Sequence, residues 1–388
     1  MKAAIIGAGH AGVTASEILA DNNIEVTLFS EENVLPYYRP RVVALAFGLV
    51  EDEEMSLHPR EWYEQRNINL RLDTRVRKVH PDTLTVETDK NTENFDAVII
   101  AAGALPIQLP FTRNVDGAIP MWDYNDSKHM HQHIKSANQL AILGGGITGV
   151  ETAIYASEIG IETTLIEQKE ILMPLQFGPT GGDILKKMLE ARNVNVLTGT
   201  TAKNTEQHGQ QVEITMADNN TCCTDLLITS IGGKPDLEPY TGSAIKLDRG
   251  ILVDDYLCAS HKGIFACGDI AQQDHCSAAN LRLATQQGRT AAGNVINYLE
   301  GKPLTQHPHQ PVSLSFKHSD IQIHTGGNAP QNTDEEKILT NTKDAYRAVC
   351  VRDNILRGVN MLGTREKFRE LTKLIGEPWG NIHEQVNF

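Results

Sequence analysis

Two glycine triplets carry the first legible chemistry in this chain, Gly7-Ala-Gly9-His-Ala-Gly12 and Gly144-Gly-Gly146-Ile-Thr-Gly149. Each follows an apolar run and opens a helix-like stretch. In that setting the first glycine permits a tight turn and the second lets the backbone approach a pyrophosphate. The third lets helix and strand pack closely, with the phosphate on the helix N-terminus. An acidic residue follows each triplet about 20 positions on, Glu31 and then Glu167, where a carboxylate accepts hydrogen bonds from adenosine ribose hydroxyls. One such triplet is weak evidence, but two complete ones make chance glycine turns a poor explanation. Two dinucleotide sites in one chain suggest a relay from a nicotinamide to a flavin. The segment Ile264-Phe-Ala-Cys-Gly-Asp269 fits that relay, because an Asp at a strand end suits a ribityl hydroxyl; by itself it also reads as a simple turn.

The elements that must hold these turns repeat as well. Lys2 to Ile6 and Leu140 to Leu143 read as strands, each followed by a helix-like stretch (Val13 to Asp21, Val150 to Ile159) and a second strand (Ile24 to Phe29, Glu162 to Ile166). Both are β–turn–α–β units of about 30 residues, which pack as parallel sheets with helices on both faces. Apolar runs at Phe95 to Gly103 and Leu226 to Gly232 close the two units, and a helix-like stretch runs from Asn280 to Leu299. Pro303 and the segment Gln306 to Pro311 read as a boundary. Beyond it come strand-like runs (Val312 to Phe316, Ala345 to Val351, Leu356 to Leu362) and a final helix, Glu366 to Ile375.

Composition narrows the field. The 388 residues are 40 % hydrophobic, enough for two or three globular domains. Asp and Glu number 49 against 35 Lys and Arg, and a net charge of −14 opposes binding to a phosphate backbone. No apolar stretch is long enough to span a bilayer, and no signal pattern precedes Ala3-Ala4-Ile5-Ile6, so the expectation is a cytoplasmic protein. The cysteines at 222, 223, 258, 267, 276 and 350 show neither C-x-x-C nor zinc spacing and read as reduced structural thiols. His129, His131 and His133 read as surface histidines, since residues two apart on a helix do not share a face.

Further segments make the sequence similar to a known family. With the two triplets, the matching residues are Pro36-Tyr-Tyr-Arg-Pro-Arg41, Ile100-Ala-Ala-Gly103, Val150-Glu151, Ile231-Gly-Gly-Lys-Pro235, Gly250-Ile-Leu-Val-Asp254 and Ala266-Cys-Gly-Asp269. The chain resembles the FAD-dependent pyridine nucleotide–disulfide oxidoreductases. Within them it is most similar to NAD(P)H–rubredoxin reductases, the ferredoxin reductases of oxygenase systems and the flavin portion of assimilatory nitrite reductases. The resemblance is strong over residues 1–305 and loose beyond. It implies an α/β fold, glutathione-reductase-like, with two tandem Rossmann-like dinucleotide-binding domains and a small α+β C-terminal domain. FAD would occupy 1–110 and 236–305, NAD(P)H 111–235, and residues 306–388 would cover the flavin or mediate dimerisation. The FAD candidates it implies are Gly7, Gly9, Gly12, Glu31, Arg39, Val76, Ala102 and Asp269. The NAD(P)H candidates are Gly144, Gly146, Gly149, Glu151, Glu167 and Gly232, with Glu151 the candidate catalytic residue near the nicotinamide. Arg39 also has its own physical case, since a fixed guanidinium suits a pyrophosphate.

Departures from the family pattern shape the expected function. Disulfide reductases carry a redox cysteine pair after the proline–tyrosine segment, whereas residues 36–60 here contain no cysteine. Ferredoxin reductases place a lysine four residues after the proline matching Pro40, paired with the glutamate matching Glu151; here that position is Ala44, with Arg39 and Arg41 as possible substitutes. A tryptophan found near Leu281 in some relatives is also missing. The expected activity is electron transfer from NADH, rather than NADPH, through FAD to a rubredoxin or ferredoxin, by a monomer or homodimer. The alternatives are an NADH oxidase or diaphorase reducing oxygen, quinones or nitro compounds, and a flavin- and NAD-binding sensor or interaction protein with little turnover.

Overall fold

In the computed structural model, residues 1–113, 115–273, 280–308, 311–328, 330, 334–342 and 345–385 are described. The protein is α/β. Its chain divides into two compact units: Met1–Arg41, Glu51–Leu105 and Gly233–Gln310 in the first, and Val42–Val50, Pro106–Gly232 and Pro311–Phe388 in the second.

The first unit is built on five parallel strands, in the order Ile264–Ala266, Ala97–Ile100, Lys2–Ile6, Glu25–Phe29, Ile68–Arg71. Strand Lys2–Ile6 sits at the centre and Ala3 to Ile6 are buried between strand neighbours; helices cover only one face, against Ala3 and Ile5, and the expected helices on the other face are replaced by the strands holding Val76, Val79 and Val86, which pack on Ala4 and Ile6. Helix His10–Asp21 packs against the long helix Leu281–Leu299. Gly288 permits their close approach, since a Cβ there would lie 2.4 Å from the Ala11 carbonyl oxygen. Asn280 caps the long helix through bonds to the amides of Arg282 and Leu283. A three-stranded antiparallel sheet, Val76–His80, Thr85–Thr88 and Thr92–Asn94, completes this unit.

The second unit repeats the scheme: Val194–Thr198, Glu162–Glu167, Gln139–Leu143, Leu226–Thr229 and Ala118–Pro120 pair in parallel in that order. Its fingerprint helix is Ile147–Glu158. The short helix Val42–Ala46 belongs to this unit and packs on helices Tyr124–Ile134 and Ile147–Glu158. The unit also holds a five-stranded antiparallel sheet in the order Ser313–His318, Ile321–Gly327, Ile355–Leu362, Tyr346–Arg352, Glu335–Asn341. Two of these strands, Ile321–Gly327 and Glu335–Asn341, are not visible as apolar runs: the first is broken by Gln322 and His324 and ends in two glycines, and the second is charged. Helix Phe368–Lys373 is shorter than the expected 366–375, and a further helix, Trp379–Gln385, follows it. No helix among the described residues is long and apolar enough to cross a membrane.

Candidate functional site

The two glycine turns have nearly the same geometry. Gly7 has φ +101 and Gly144 has φ +109, a left-handed region that L side chains rarely adopt. A Cβ would meet the Ala101 oxygen at 2.3 Å in the first turn and the Ser230 oxygen at 2.2 Å in the second. A Cβ on Gly12 or Gly149 would stand 1.9 Å from the carbonyl oxygen of Gly7 or Gly144. The middle glycines differ: a Cβ on Gly9 or Gly146 would meet nothing within 4 Å. Both are N-caps in extended conformation without a side-chain cap, so the first-turn amides of each helix face an open surface. Nothing in the folded chain requires glycine there, but a pyrophosphate seated on those amides does. The residues present therefore fit two dinucleotides.

Around the first turn, four polar groups converge. Arg39 Nη2 lies 3.0 Å from Glu32 Oε1, with the guanidinium over the Tyr37 ring. Crowding by the surrounding protein raises the pKa of Asp269, although the residue is solvent-exposed, and the Arg39 charge opposes that rise. Asp269 stands in the turn Gly268–Ile270, fixed by the Gly268 amide donating to Gln287 Oε1 at 2.8 Å. His10, the first residue of the helix, has its ring edge-on to Tyr38 at 5.3 Å, and its Nε2 is buried without a hydrogen-bond partner among the described residues. Burial, then the Arg39 charge, lowers its pKa to about 4. A neutral imidazole with an unmet ring nitrogen beside the first glycine turn is a further sign of a ligand. Glu31 does not join this group: it is exposed and pairs with Arg75, whose other nitrogen binds Asp236 at 2.8 Å. Ala102 lies exposed just beyond strand Ala97–Ile100, and Val76 is buried at the start of its strand.

Around the second turn, Glu167 is buried and fully engaged. Its Oε2 accepts from the Gly145 amide at 2.6 Å and its Oε1 from the Lys169 amide at 2.7 Å, which ties the turn to the strand end. Gly232 has φ +90 beyond strand Leu226–Thr229, and its oxygen accepts from the Ile107 amide. Glu151 stands two residues past Gly149 on the helix. Burial pushes its carboxyl up to about 7, and the Tyr155 hydroxyl, its hydrogen-bond partner one turn on, acts the other way. Arg41 donates to the Glu54 carbonyl and lies over Tyr38.

Sequence reading singled out neither His10, Glu32 nor Tyr155. His10 was in view inside the first triplet; Glu32 and Tyr155 acquire meaning only through what they touch. Cys258, Cys267 and Cys350 have thiols raised to about 12, chiefly by burial. Cys222 and Cys223 are unbridged on the hairpin strand Thr221–Thr224, and Cys276 lies outside the described residues. His131 reaches the Ala46 carbonyl, whereas His129 and His133, four residues apart, do share a face, with ring centroids 4.7 Å apart. No group of three metal-ligating side chains occurs among the described residues.

The chain is similar to several known proteins. The NADH-rubredoxin oxidoreductase of Clostridium acetobutylicum is 26 % identical over 378 residues, covering 96 % of this chain and 94 % of that protein. The assimilatory nitrate reductase electron transfer subunit of Bacillus subtilis is 26 % identical over 382 residues, 96 % of this chain; the chain spans 49 % of that relative's length. Putidaredoxin reductase, in its covalent complex with putidaredoxin, shares the fold at a TM-score of 0.89 and 20 % identity, over 98 % of this chain and 95 % of that one. The model of one family, described as pyridine nucleotide-disulphide oxidoreductase, matches residues 1–288. With two open glycine turns in parallel sheets and a family match over most of its length, the chain belongs to the pyridine nucleotide-disulphide oxidoreductases, enzymes that work with a flavin and a pyridine nucleotide.

Proposed function

We propose that this protein takes electrons from NADH through FAD to a small redox protein of the rubredoxin or ferredoxin kind. The observation that carries the reading is the pair of glycine turns, each open at its middle glycine, in a chain with no cysteine at 36–60. The names of relatives spanning nearly the whole chain support the acceptor class. In this reading Gly7, Gly9 and Gly12 seat the FAD pyrophosphate, with Arg39 beside it, Asp269 toward the ribityl chain, and Glu31, Val76 and Ala102 lining the rest. Gly144, Gly146 and Gly149 seat the NADH pyrophosphate, with Glu167 toward the adenosine ribose, Gly232 across the turn and Glu151 toward the nicotinamide. A bound FAD would accept hydride from NADH and pass electrons singly to a one-electron carrier. The chain's part is to orient both nucleotides and exclude water, and no thiol is asked to react.

The test is direct. Purified protein is loaded with FAD, reduced anaerobically by NADH, then mixed with rubredoxin, ferredoxin or dioxygen. Fast reoxidation by one of the carriers and slow reoxidation by dioxygen are expected. Failure of NADH to bleach the flavin overturns the reading, faster reoxidation by dioxygen makes the protein an oxidase, and slow reoxidation by every acceptor makes it a sensor.

A further inference from the structure

Helix Tyr124–Ile134 carries three histidines, and folding sorts them onto two sides. Ser127, Met130 and Ile134 are buried. His131 turns inward: its Nδ1 lies 3.2 Å from the Ala46 carbonyl oxygen, and a Cβ on Gly48 would stand 3.1 Å from its Cε1. His129 and His133 are exposed and one turn apart, the spacing that lays two side chains over the same patch of helix surface. Their ring centroids are 4.7 Å apart, with the ring planes at 79°. His133 Nδ1 lies 2.9 Å from the His129 carbonyl oxygen. A carbonyl only accepts, so Nδ1 carries the hydrogen, and in the neutral ring the lone pair is left on Nε2. A metal-binding histidine is prepared in this way, with its second nitrogen donating to a carbonyl.

The ring separation can be held against what a shared ion requires. A metal–nitrogen bond is about 2.0–2.1 Å, and an imidazole centroid lies about 1.1 Å behind its nitrogen. Two rings on one ion then have centroids about 4.5 Å apart when they meet at a right angle and about 5.2 Å apart at the tetrahedral angle. The observed pair falls between these limits. Burial, then the His133 charge, lowers the pKa of His129, which favours the neutral ring that a metal needs. Helix Val42–Ala46 and strand Ala118–Pro120, which pack on this helix, bear no charged side chain. Lys128 and Lys135 lie off the stripe that His129 and His133 share. Asp126 accepts from the Asp123 amide at 3.1 Å at the helix N-terminus. The chain therefore offers two nitrogens, and water completes the shell. We propose that His129 and His133 form a surface site for one divalent cation that favours imidazole, of the Zn2+, Ni2+ or Cu2+ class. Mg2+ and Ca2+, which take oxygen ligands, do not bind there. The ion clips one turn of a helix whose inner side packs on Val42–Ala46, and the site does not depend on the reading of either glycine turn.

Calorimetry on FAD-loaded protein without an affinity tag reads this out. NiCl2, ZnCl2 and MgCl2 are each titrated alone at pH 7.5. Ni2+ and Zn2+ should bind one per chain at this site and Mg2+ should not. His129→Gln and His133→Gln should each weaken Ni2+ binding by at least about tenfold, the least that loss of even an outer-shell partner costs. His131→Gln should leave it unchanged, because that ring faces Ala46. Both outer side chains are exposed, so the variants should melt like the native protein when no metal is added. Lowering the pH to 5.5 should weaken binding by between about tenfold and a hundredfold, as protons compete for the imidazoles. Absence of Ni2+ binding at pH 7.5, binding undiminished in the double variant His129→Gln/His133→Gln, a loss as large in His131→Gln as in the other two, or indifference to pH each overturns the proposal.

Discussion

Replacing Glu167 by arginine perturbs two things at once, and the structure separates them. The carboxylate holds the Gly145 and Lys169 amides at 2.6 and 2.7 Å, and charge-assisted bonds of this kind contribute about 1.5–3 kcal/mol each. Their loss loosens the turn for both coenzymes alike and appears as a lower Tm and a raised KM for NADH. The second effect is selective. In the proposed reading this buried carboxylate stands at the ribose and would oppose the 2′-phosphate of NADPH, and one such contact discriminates by about 1–3 kcal/mol, or roughly 5- to 150-fold. Exposed Lys169 could offset part of this by reaching the phosphate. The assay is kcat/KM for NADH and NADPH with one artificial acceptor, in native protein, Glu167→Gln and Glu167→Arg. Native protein should prefer NADH within that range, Glu167→Gln should shrink the preference, and Glu167→Arg should erase or invert it. Equal native values, or a ratio unchanged in both variants, would refute the assignment.

Gly9→Val should fold normally, because a Cβ there meets nothing within 4 Å, yet fail to bind FAD, because the side chain would block the backbone's approach to a pyrophosphate; flavin content and a circular-dichroism melt check both halves. Gly12→Val, whose Cβ would lie 1.9 Å from the Gly7 oxygen, should instead lose stability outright. NADH-to-dye activity should survive iodoacetamide, since burial holds Cys258, Cys267 and Cys350 as thiols raised to about 12; loss of most activity with FAD still bound would expose a catalytic cysteine. His10 binds a proton more weakly folded than unfolded, so the unfolded state takes up more protons between about 6.5 and 4 and stability falls as pH drops through that window. Denaturant melts at pH 7 and pH 4.5 should show this loss, of order 1–3 kcal/mol, shrinking in His10→Gln; an equal loss in the variant would remove His10 as its source.

The parts of this molecule that depend on short stretches of chain were legible beforehand. A glycine turn between an apolar strand and a helix is a local device: the φ at Gly7 and Gly144 and the contact from the third glycine back to the first arise within six residues. The parallel sheets follow because such units can bury both faces only one way. The C-terminal sheet was half legible, as Ile355–Leu362 and Tyr346–Arg352 are apolar while Glu335–Asn341 becomes a strand only because Tyr346–Arg352 offers it an edge.

Side-chain partnership was decided elsewhere. Glu31 and Glu32 are adjacent, and spacing favours neither; folding delivers Arg75, itself bound to Asp236, to the first and Arg39 to the second. The sequence showed that Ala44 leaves Glu151 without a lysine, and only the packed helices show Tyr155 supplying a hydroxyl, with Phe47 and His318 fixing its ring. His10 is an ordinary histidine on paper, and its depressed pKa exists only once burial and Arg39 surround it. Backbone turns are set by forces acting within a few residues, so sequence alone determined them. Charge, protonation and hydrogen bonding depend on groups that may be distant in the chain and meet only in the tertiary structure, where low dielectric makes their contacts strong.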